Sequence, residues 1–553
     1  MEIKIISSLE KCFLDESIAD KKALKSASML KNERYHFQVC FKATESAEYR
    51  RAAVLTVESE LAPYVSVYNV QHVPVKMAVV PGSFDENYLR TTAGLYPDLL
   101  TPMSPWRRVM LGENLESLFF EIELDGSVKA GKYPIKIRFN GQADDTLWAE
   151  EIFEIEVIDA ELPEQQVTFT QWFYTDCLMN YYGTEAFDER HWQIIENFLW
   201  RAARGGINMI LTPVFTPALD TYIGGERKTT QLLGIKRTGK AGDYKYEFDF
   251  SRLERWIALC QKLGIGKFEM PHFFTQWGAA HAPKIVAETD GEEKRIFGWD
   301  TDALSDEYRD FLSQLIPALL AKLSELGVDK DCVFHISDEP NLTNIEQYKK
   351  SRAVVEKLLD GYIITDALSH FEFYESGAVT NPVPSIDKIE PFIEHGVPDL
   401  WGYYCVSQTK EVSNRFISMP SYRHRIIGIQ MYKYNLAGFL HWGYNFYNNR
   451  YSYDAIDPLI CTDGEHFAPG GDTFSVYPAN DGTAYTSLRF EAFYEALSDH
   501  RALCLCEKLC GRDLVEKLIG DEFESLTFKH YPQSADFILS FREKINQAIK
   551  AAI

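Results

Sequence analysis

The sequence lacks a long apolar run and a surplus of basic residues. None of its 553 residues lies in a stretch of about 18 consecutive apolar residues, so no segment is predicted to cross a bilayer. Lys and Arg number 57 against 81 Asp and Glu, which leaves a formal net charge of −24. That charge repels phosphate backbones and anionic lipids, so neither nucleic acid nor a membrane surface is an expected partner.

The ten cysteines form neither a disulfide framework nor a zinc pattern. The one cluster, Cys504, Cys506 and Cys510, lies in an apolar, helix-like stretch with no second group of ligands at zinc spacing. We therefore expect buried thiols on a packed helix. Residues 1–9 include charged side chains and no long apolar core, so no signal peptide is expected. These features predict a reducing, cytoplasmic compartment.

Motifs for nucleotide binding and serine nucleophiles are also missing. The glycine pairs at 205–206, 224–225 and 470–471 lack the spaced glycines, Lys and Ser/Thr of a phosphate-binding loop, and are interpreted as turns. No Gly-x-Ser-x-Gly elbow of a serine hydrolase occurs. No cofactor and no metal are expected.

The composition itself is that of a globular protein, with 46% hydrophobic and 25% charged residues, which excludes a disordered chain. Residues 1–165 contain short segments rich in Val, Ile, Phe and Tyr, separated by turn signals such as Asp125-Gly126 and Asn140-Gly141. Short strands at this spacing predict a β-sandwich domain. The domain is expected to end at the polar, proline-containing segment 162–165.

Residues 166–485 alternate strand-like with helix-like segments. Eight such units favour a (β/α)8 TIM-type barrel over an open doubly wound sheet. The clearest helix is 306–326, where apolar residues recur every three or four positions, although Pro317 should kink it. Residues 486–553 predict a helical tail packed on the barrel. The predicted barrel strands are 167–175, 207–214, 266–274, 331–337, 362–366, 380–384, 401–406 and 438–444.

The most informative segment is 334–341, Phe-His-Ile-Ser-Asp-Glu-Pro-Asn. A buried strand at 332–336 is ended by a proline, and 343–346 has the form of a capping box that starts the next helix. Asp338 and Glu339 therefore come at the C-terminal end of a barrel strand, where TIM-barrel active sites lie. Because the carboxylates repel, one pKa should rise toward that of an acid while the other group stays ionised. A purely structural role, capping or salt-bridging the strand end, stays open.

Such a pair suits glycosidic bond cleavage, but not the usual arrangement. The carboxyl groups of a retaining pair are about 5–5.5 Å apart on opposite sides of the sugar, and those of an inverting pair are further apart. Neighbouring side chains at a strand end can hardly lie on both sides of a ring. They can serve a substrate whose own 2-acetamido oxygen attacks the anomeric carbon, one orienting the amide and the other protonating the leaving oxygen. The pair therefore points to N-acetylhexosaminides.

Further segments accompany this motif, and with them the chain resembles glycoside hydrolase family 123 and its relatives of unassigned activity. The resemblance covers the barrel and tail and, more loosely, the N-terminal part around 96–98. It implies a retaining β-N-acetylgalactosaminidase that uses the substrate's acetamido group, with Asp338 stabilising that group and Glu339 as general acid/base. The segments that carry the resemblance are His335–Pro340, Trp401–Cys405, Arg425–Gly428, Met431–Tyr434, Gly438–Asn445 and Ser487–Ala492.

Side chains near other strand ends are candidates for sugar binding, since sugar faces stack on aromatic rings and hydroxyls need polar partners. Alternation along the eighth strand means that His441 and Trp442 cannot both face the barrel interior, and Trp442 is favoured. Tyr444 should then share its side unless the strand bends. For each candidate, packing in the core is the alternative. The predicted substrate-binding residues are Trp172, Tyr174, His272, Trp277, Trp299, Tyr403, Trp442 and Asn445.

Three functions remain open from the sequence. The first is a metal-free, substrate-assisted glycoside hydrolase, in which His335 is a hydrogen-bonding residue of the barrel interior. The second is an ordinary retaining glycosidase with a distant nucleophile such as Glu269 or Asp366. The third is a barrel that binds glycans without cleaving them. In each case the partner is an oligosaccharide or glycoside, and the epimer, linkage, aglycone and oligomeric state stay undetermined.

Overall fold

The computed structural model describes all 553 residues, and two packed β-sheets form its N-terminal part. The strand Arg34–Lys42 shows why the sheets pack. Phe37 and Val39 point into the core between the sheets, whereas His36 points to the other face, where its Nδ1 lies 3.1 Å from Glu495 of a C-terminal helix. This sheet is therefore buried on both sides.

The first sheet has seven strands and the second has five. Two strands of the first sheet come from late in the chain, after the barrel, where Thr486 pairs with Leu100. The sequence analysis did not anticipate this return of the chain. In spatial order the first sheet is Glu2–Ser7, Arg34–Lys42, Glu116–Glu123, Val65–Val75, Gly94–Pro102, Ala484–Ser487 and Tyr477–Pro478. The second is Ser26–Leu30, Leu147–Ile158, Gly131–Gly141, Ala52–Glu58 and Arg108–Met110.

Eight parallel strands form a nearly closed barrel. Each overlaps a predicted segment, and all but the fifth are shorter than predicted. Neighbours in sequence are neighbours in space. Between the sixth and seventh strands the only pairing is the bridge of Ser385 with Tyr403. The strands are Thr168–Gln171, Met209–Leu211, Lys267–Glu269, Cys332–Phe334, Ile363–Leu368, Asn381–Pro384, Trp401–Tyr403 and Gly438–His441.

Helices follow the first seven strands, but those after the fifth and sixth are only four and five residues long. The helix Asp306–Glu325 continues through Pro317. The capping pair before the helix Ile345–Val355 is Asn341 and Asn344 rather than the predicted 343–346. The remaining helices of this part are Thr175–Tyr182, Glu189–Arg204, Ser251–Lys262, Glu372–Glu375, Glu390–Glu394, Ser421–Arg425 and Ile427–Lys433.

A four-stranded sheet is inserted after the second and third barrel strands, and the sequence analysis missed it. It consists of two hairpins, Gly234–Lys240 with Asp243–Asp249 and Ile285–Thr289 with Glu292–Phe297. The second hairpin turns at Asp290-Gly291, where both residues have positive φ, and the Asp-Gly signal for such a turn is visible in the sequence.

The chain ends in three helices, as predicted: Leu488–Cys510, Arg512–Glu522 and Ala535–Ala552. They pack with Ile426 and Ile429 around a separate core of 18 buried residues. The cysteine cluster lies on the first of these helices, and all ten cysteines of the chain are free thiols. None of the helices combines the length and apolarity needed to cross a membrane.

Candidate active site

The segment with the adjacent carboxylates begins where the fourth barrel strand ends at Phe334. Residues 335–340 form neither helix nor strand, but neighbouring strand ends hold them. The N–H of Ile336 donates to Asp366 Oδ1 at 3.0 Å, and its carbonyl accepts from the N–H of Phe274 at 3.0 Å. The pair is therefore carried by an anchored loop at the C-terminal end of the barrel.

Asp338 and Glu339 line the same pocket. Neighbours in an extended strand point to opposite sides, but Glu339 has a φ of 41°, and both side chains face one cavity. The carbonyl of Asp338 accepts from the N–H of Trp277 at 3.1 Å, which ties the pair to the loop after the third strand. Because such a backbone costs about 1–3 kcal/mol, the surrounding contacts have to maintain it.

The pocket has an empty volume of about 710 Å³ and opens to solvent. That volume lies within the range of small-molecule sites, so a sugar ring fits. Its walls come from the C-terminal ends of the first, fourth, fifth, seventh and eighth strands and from the loops that follow the second, third and eighth strands. The lining residues are Trp172, Asp220, Trp277, Asp338, Glu339, Ala367, Tyr403, Cys405, Val406, Leu440, Trp442, Arg450, Tyr451 and Phe467.

Backbone strain is concentrated in this lining. Asp220, Trp277, Glu339 and Tyr451 have φ angles of 49°, 60°, 41° and 60°. The whole chain has 16 non-glycine residues with positive φ, so a quarter of them line one pocket. Residues held in this region of conformational space cluster at functional sites, where the surroundings over-determine the backbone. The strain therefore favours this pocket as the candidate functional site.

The pKa values of both carboxyl groups are raised. Burial raises the pKa of Asp338 well above its usual value, and repulsion from Glu339 adds to the effect. Burial also raises the pKa of Glu339. The sequence analysis expected one pKa to rise while the other group stays ionised; in the structure the pKa values of both groups are raised, because burial removes both side chains from water. The pair therefore holds a proton more tightly than two separate carboxylates would.

Tyr403 acts against this rise at Glu339. Its hydroxyl donates to Glu339 Oε1 at 2.6 Å, and this hydrogen bond lowers the pKa of the carboxyl group that burial raises. Cys405 contributes a long contact, with Sγ 3.9 Å from the same oxygen. The seventh strand thus sets both the orientation and the acidity of Glu339.

Beneath the pocket, three buried groups form a chain across the barrel. His335 Nε2 lies 3.0 Å from Glu269 Oε2, and His335 Nδ1 lies 3.4 Å from Asp366 Oδ1. Burial would lower the pKa of His335, but the two carboxylates outweigh burial and raise it to about 10. The imidazole is therefore protonated at neutral pH, and His335 is the hydrogen-bonding interior residue that the sequence predicts.

Neither Glu269 nor Asp366, the two alternative nucleophiles, lines the pocket. Glu269 accepts hydrogen bonds from Thr170 and from Trp172 Nε1, the latter at 2.8 Å. Asp366 accepts one from the Tyr348 hydroxyl at 2.5 Å in addition to its backbone donors. Both carboxylates are therefore structural, and Glu269 fixes the orientation of the Trp172 ring.

The eighth strand presents Trp442 to the pocket, and the preference for Trp442 over His441 is confirmed. Trp442 Nε1 donates to the buried Asp472 Oδ2 at 3.0 Å, which fixes the indole in the wall. His441 is buried outside the lining, and its Nδ1 accepts the N–H of Gly443 at 3.0 Å.

Tyr444 does not share the side of Trp442. Its hydroxyl donates to the carbonyl of Phe198, in a helix around the barrel, at 2.8 Å. The strand ends at His441, so its alternation does not extend as far as residue 444.

Four of the eight predicted substrate-binding residues meet in the pocket: Trp172, Trp277, Tyr403 and Trp442. The first of them follows the strand end at Gln171 directly, and Trp277 lies on the loop beyond the third strand. Their aromatic rings and the Asp338 side chain line the same cavity. Sugars present apolar faces to such rings, so the walls match the ligand class that the sequence predicts.

The other four predicted residues lie elsewhere. Tyr174 and Asn445 are buried and bind each other, with the Tyr174 N–H 2.9 Å from Asn445 Oδ1 and Asn445 Nδ2 3.0 Å from the Tyr174 carbonyl. His272 is buried and stacks on His335, with ring centroids 4.5 Å apart. Trp299 lines a separate, more polar pocket. Tyr174, Asn445 and His272 pack in the core. The chain leaves the extended conformation at the strand ends, so alternation no longer predicts the direction of these side chains.

Sequence reasoning missed Asp220, Arg450 and Tyr451 among the lining residues. Burial raises the pKa of Asp220 to about 7, and the Arg227 guanidinium opposes the rise. All three lie on long loops beyond the C-terminal ends of predicted strands, which is the only signal that marks them. Which loop residue turns inward depends on contacts between loops, and no local pattern records those contacts.

Two groups of side chains could offer three ligands to a metal ion: His272 with His335 and Asp366, and His36 with Glu121 and Glu491. In the first, His335 is held protonated between two carboxylates. In the second, guanidinium groups approach Glu121, one of them at 2.6 Å. Bound protons and guanidinium cations compete with a metal for these oxygens and nitrogens. Neither group lines the pocket, so the pocket chemistry does not use them.

A comparison with protein-family models matches residues 172–506 to the model described as glycoside hydrolase 123, catalytic domain. The match covers more than half of the chain and contains the carboxylate pair and the strand ends around it. A search of curated proteins finds no match.

Among solved structures, a family 123 glycoside hydrolase from Clostridium perfringens, studied for glycolipid glycan hydrolysis, has a TM-score of 0.73. It is 15% identical, and the alignment covers 100% of this chain and 98% of that chain, so the similarity shows a shared fold. A covalently inhibited β-glucuronidase 2 from Bacteroides uniformis is 11% identical over 81% of this chain and 47% of that chain, with a TM-score of 0.30. A Ruminococcus gnavus β-glucuronidase is 8% identical over 80% and 68%, with a TM-score of 0.31. The last two similarities are too low to support an inference.

Proposed function

Because the chain belongs to glycoside hydrolase family 123 and is a glycoside hydrolase, we propose that it removes terminal β-N-acetylhexosaminides, above all N-acetylgalactosaminides, from glycans with retention of configuration. In the proposed mechanism the nucleophile is the acetamido group of the substrate itself. We take residues 166–485 as a (β/α)8 catalytic domain, 1–165 as a sandwich domain and 486–553 as a helical tail.

The observation that carries the proposal is the position of Asp338 and Glu339, consecutive residues that face one pocket. Two neighbours cannot lie on opposite sides of a sugar, as a protein nucleophile and its acid must. They can act on the same side, one on the acetamido group and one on the glycosidic oxygen. The other buried carboxylates of the barrel, Glu269 and Asp366, are engaged beneath the cavity.

In the first step, the acetamido oxygen attacks the anomeric carbon and the bond to the leaving oxygen breaks. Glu339 donates its proton to that oxygen, so the leaving group departs as an alcohol. The Asp338 carboxylate accepts a hydrogen bond from the acetamido N–H and offsets the positive charge of the oxazolinium ring that forms. In the second step, Glu339 takes a proton from water, which attacks the anomeric carbon and opens the ring. Two inversions give net retention.

Substrate binding also determines which of the two carboxyl groups carries the proton. Both have raised pKa values in the structure, and burial is the main cause. A hydrogen bond from the acetamido N–H to Asp338 favours the ionised form of Asp338. The shared proton then resides on Glu339, where the first step needs it.

A second candidate mechanism rests on Asp220, a further carboxyl group that lines the pocket. In an ordinary retaining glycosidase it would attack the anomeric carbon and form a covalent glycosyl-enzyme. Its pKa of about 7, raised by burial, leaves much of it protonated at neutral pH, which suits hydrogen bonding to sugar hydroxyls better than nucleophilic attack.

The proposal is tested with nitrophenyl β-glycosides that differ only at C2 and C4. We expect turnover of the N-acetylgalactosaminide, less of the N-acetylglucosaminide, and a rate on the 2-hydroxy β-galactoside lower by ~10³-fold or more, because that substrate lacks an intramolecular nucleophile. Proton NMR of the first-formed sugar should show the β-anomer. Comparable rates with and without the acetamido group would support Asp220 as nucleophile. No turnover of any glycoside would leave only glycan binding.

Tyr403→Phe should shift the pH dependence of the reaction. The substitution removes a hydrogen bond to ionised Glu339, so the pKa of Glu339 should rise further. The basic limb of kcat/KM, where the general acid loses its proton, should therefore move to higher pH. The measurement is a pH series on the aryl N-acetylgalactosaminide. A shift of that limb to lower pH, or a uniform loss without any shift, would contradict the assignment of Glu339 as the acid.

A further inference from the structure

The pocket opens toward one side. Of its 14 lining residues, only Trp277 and Arg450 are exposed, and Trp277 is 41% exposed. The remaining lining residues are buried or partly buried. A ligand larger than one sugar ring therefore has to leave the pocket past these two side chains.

A row of aromatic rings continues outward from Trp277. The Trp277 and Tyr451 ring centroids are 5.7 Å apart, and those of Tyr451 and Tyr453 are 6.3 Å apart, both in edge-to-face contact. Tyr453 stacks on Tyr222 at 4.5 Å with an interplanar angle of 16°. We call Trp277, Tyr451, Tyr453 and Tyr222 the aromatic row. Its first two members line the pocket, whereas Tyr453 is 60% exposed and outside the lining.

The loops that carry the row are fixed to the catalytic loop and to each other. The N–H of Trp277 donates to the carbonyl of Asp338, and the N–H of Tyr222 donates to the carbonyl of Tyr451 at 3.1 Å. The Ser452 hydroxyl donates to the carbonyl of Asp220 at 2.8 Å. These hydrogen bonds hold the aromatic row in a fixed position relative to Asp338 and Asp220.

We propose that the aromatic row binds the leaving-group side of an oligosaccharide, the sugars that follow the cleaved residue. This inference rests on the proposed function, since an enzyme that removes a terminal sugar holds that sugar in the pocket and must place the others outside it. Trp277, Tyr453 and Tyr222 are the exposed members of the row, and a contiguous group of exposed aromatic side chains beside a pocket marks a binding surface. Sugars stack on such faces, and the Arg450 side chain, 3.0 Å from the Tyr451 hydroxyl, adds donors for sugar hydroxyls.

A sugar chain fits the row better than a lipid surface does. The whole chain carries a net charge of −24, which repels anionic membranes. Successive rings of the row meet at interplanar angles of 84°, 84° and 16°, so the row offers separate ring contacts to individual sugars rather than one flat apolar face. The substrate class is therefore a glycan in which further sugars follow a terminal β-N-acetylhexosamine.

The test compares a nitrophenyl N-acetylgalactosaminide with a free tetrasaccharide that ends in the same β-linked sugar. Tyr453→Ala should lower kcat/KM for the tetrasaccharide by roughly 2- to 10-fold, because one stacking contact is lost. It should leave the aryl glycoside unaffected, and Tyr453→Trp should restore the tetrasaccharide rate. The matched control is Trp106→Ala, which removes an aromatic ring that is 72% exposed and far from the pocket lining. This control should change neither rate.

If Tyr453→Ala changed kcat/KM relative to the parent by the same factor for both substrates, the proposal would be overturned. A loss confined to glycolipid in vesicles, with the free tetrasaccharide unaffected, would overturn it in favour of a lipid contact. The trisaccharide that remains after cleavage provides a readout independent of activity. Saturation-transfer NMR should detect its binding to the parent protein and weaker binding to Tyr453→Ala. If no glycoside is cleaved and this difference persists, the proposed function fails while the binding site stands; unchanged trisaccharide binding overturns the site.

Discussion

Glu339→Gln is expected to reduce kcat for glycosides with poor leaving groups by ~10²–10⁴-fold, the usual contribution of a general acid. The amide retains the size of the side chain and can still accept the hydrogen bond from Tyr403, so the pocket should keep its shape. A nitrophenolate departs without a proton, and its release should therefore slow far less. The measurement is kcat on a series of aryl glycosides with leaving groups of increasing pKa, which should give a steeper dependence in the variant.

Glu346→Gln is the matched control for this substitution. Glu346 lies in the first turn of the helix Ile345–Val355, which follows the same loop, and its side chain is 77% exposed, so the same change of charge occurs outside the pocket. Its rates should equal those of the parent. If Glu339→Gln lost the same factor on every leaving group, the acid role would fall, and a structural role for the carboxyl group would explain the loss.

The position of the pair was predictable from the sequence because it depends on local order. A buried apolar run, two acids and a proline specify a strand that ends beside two carboxylates, and the strand Cys332–Phe334 ends four residues before Asp338. Trp277 and Trp442 could be assigned for the same reason, since each lies at or just beyond a strand end.

The remaining walls depend on contacts between distant loops. Tyr174 and Asn445 have the residue types of a sugar site, yet each satisfies the other's hydrogen bonds in the core. Asp220 and Tyr451 turn inward through left-handed backbone conformations that adjoining loops impose. No periodicity indicates such a turn, because alternation predicts orientation only while the chain stays extended.

The barrel floor has a consequence for Asp338. His335 is protonated and lies between the Glu269 and Asp366 carboxylates, beneath the pocket. Its positive charge is therefore close to Asp338, three residues further along the chain. The His335 charge lowers the pKa of Asp338, while burial and the other carboxyl groups raise it. The Asp338 carboxylate can therefore ionise once a donor such as an acetamido N–H faces it.

Asp338→Asn should slow the chemical step by ~10²–10³-fold, because the amide preserves the shape of the side chain but loses the charge that offsets the closing oxazolinium ring. Pre-steady-state kinetics should place the loss in kcat, with substrate binding little changed. A thiazoline analogue of the cyclised intermediate should inhibit the parent enzyme and bind Asp338→Asn much more weakly.

Glu339→Gln distinguishes loss of charge complementarity from general damage to the pocket. The cyclised analogue has no leaving group to protonate, so Glu339→Gln should keep most of its affinity while Asp338→Asn loses it. Equal affinities in parent and Asp338→Asn would remove the acetamido-stabilising role. The protein-nucleophile mechanism predicts instead that a 2-fluoro sugar becomes covalently attached to the enzyme. Peptide mapping that found this adduct on Asp220, Glu269 or Asp366 would end the substrate-assisted mechanism, because an acetamido nucleophile leaves no bond to the protein.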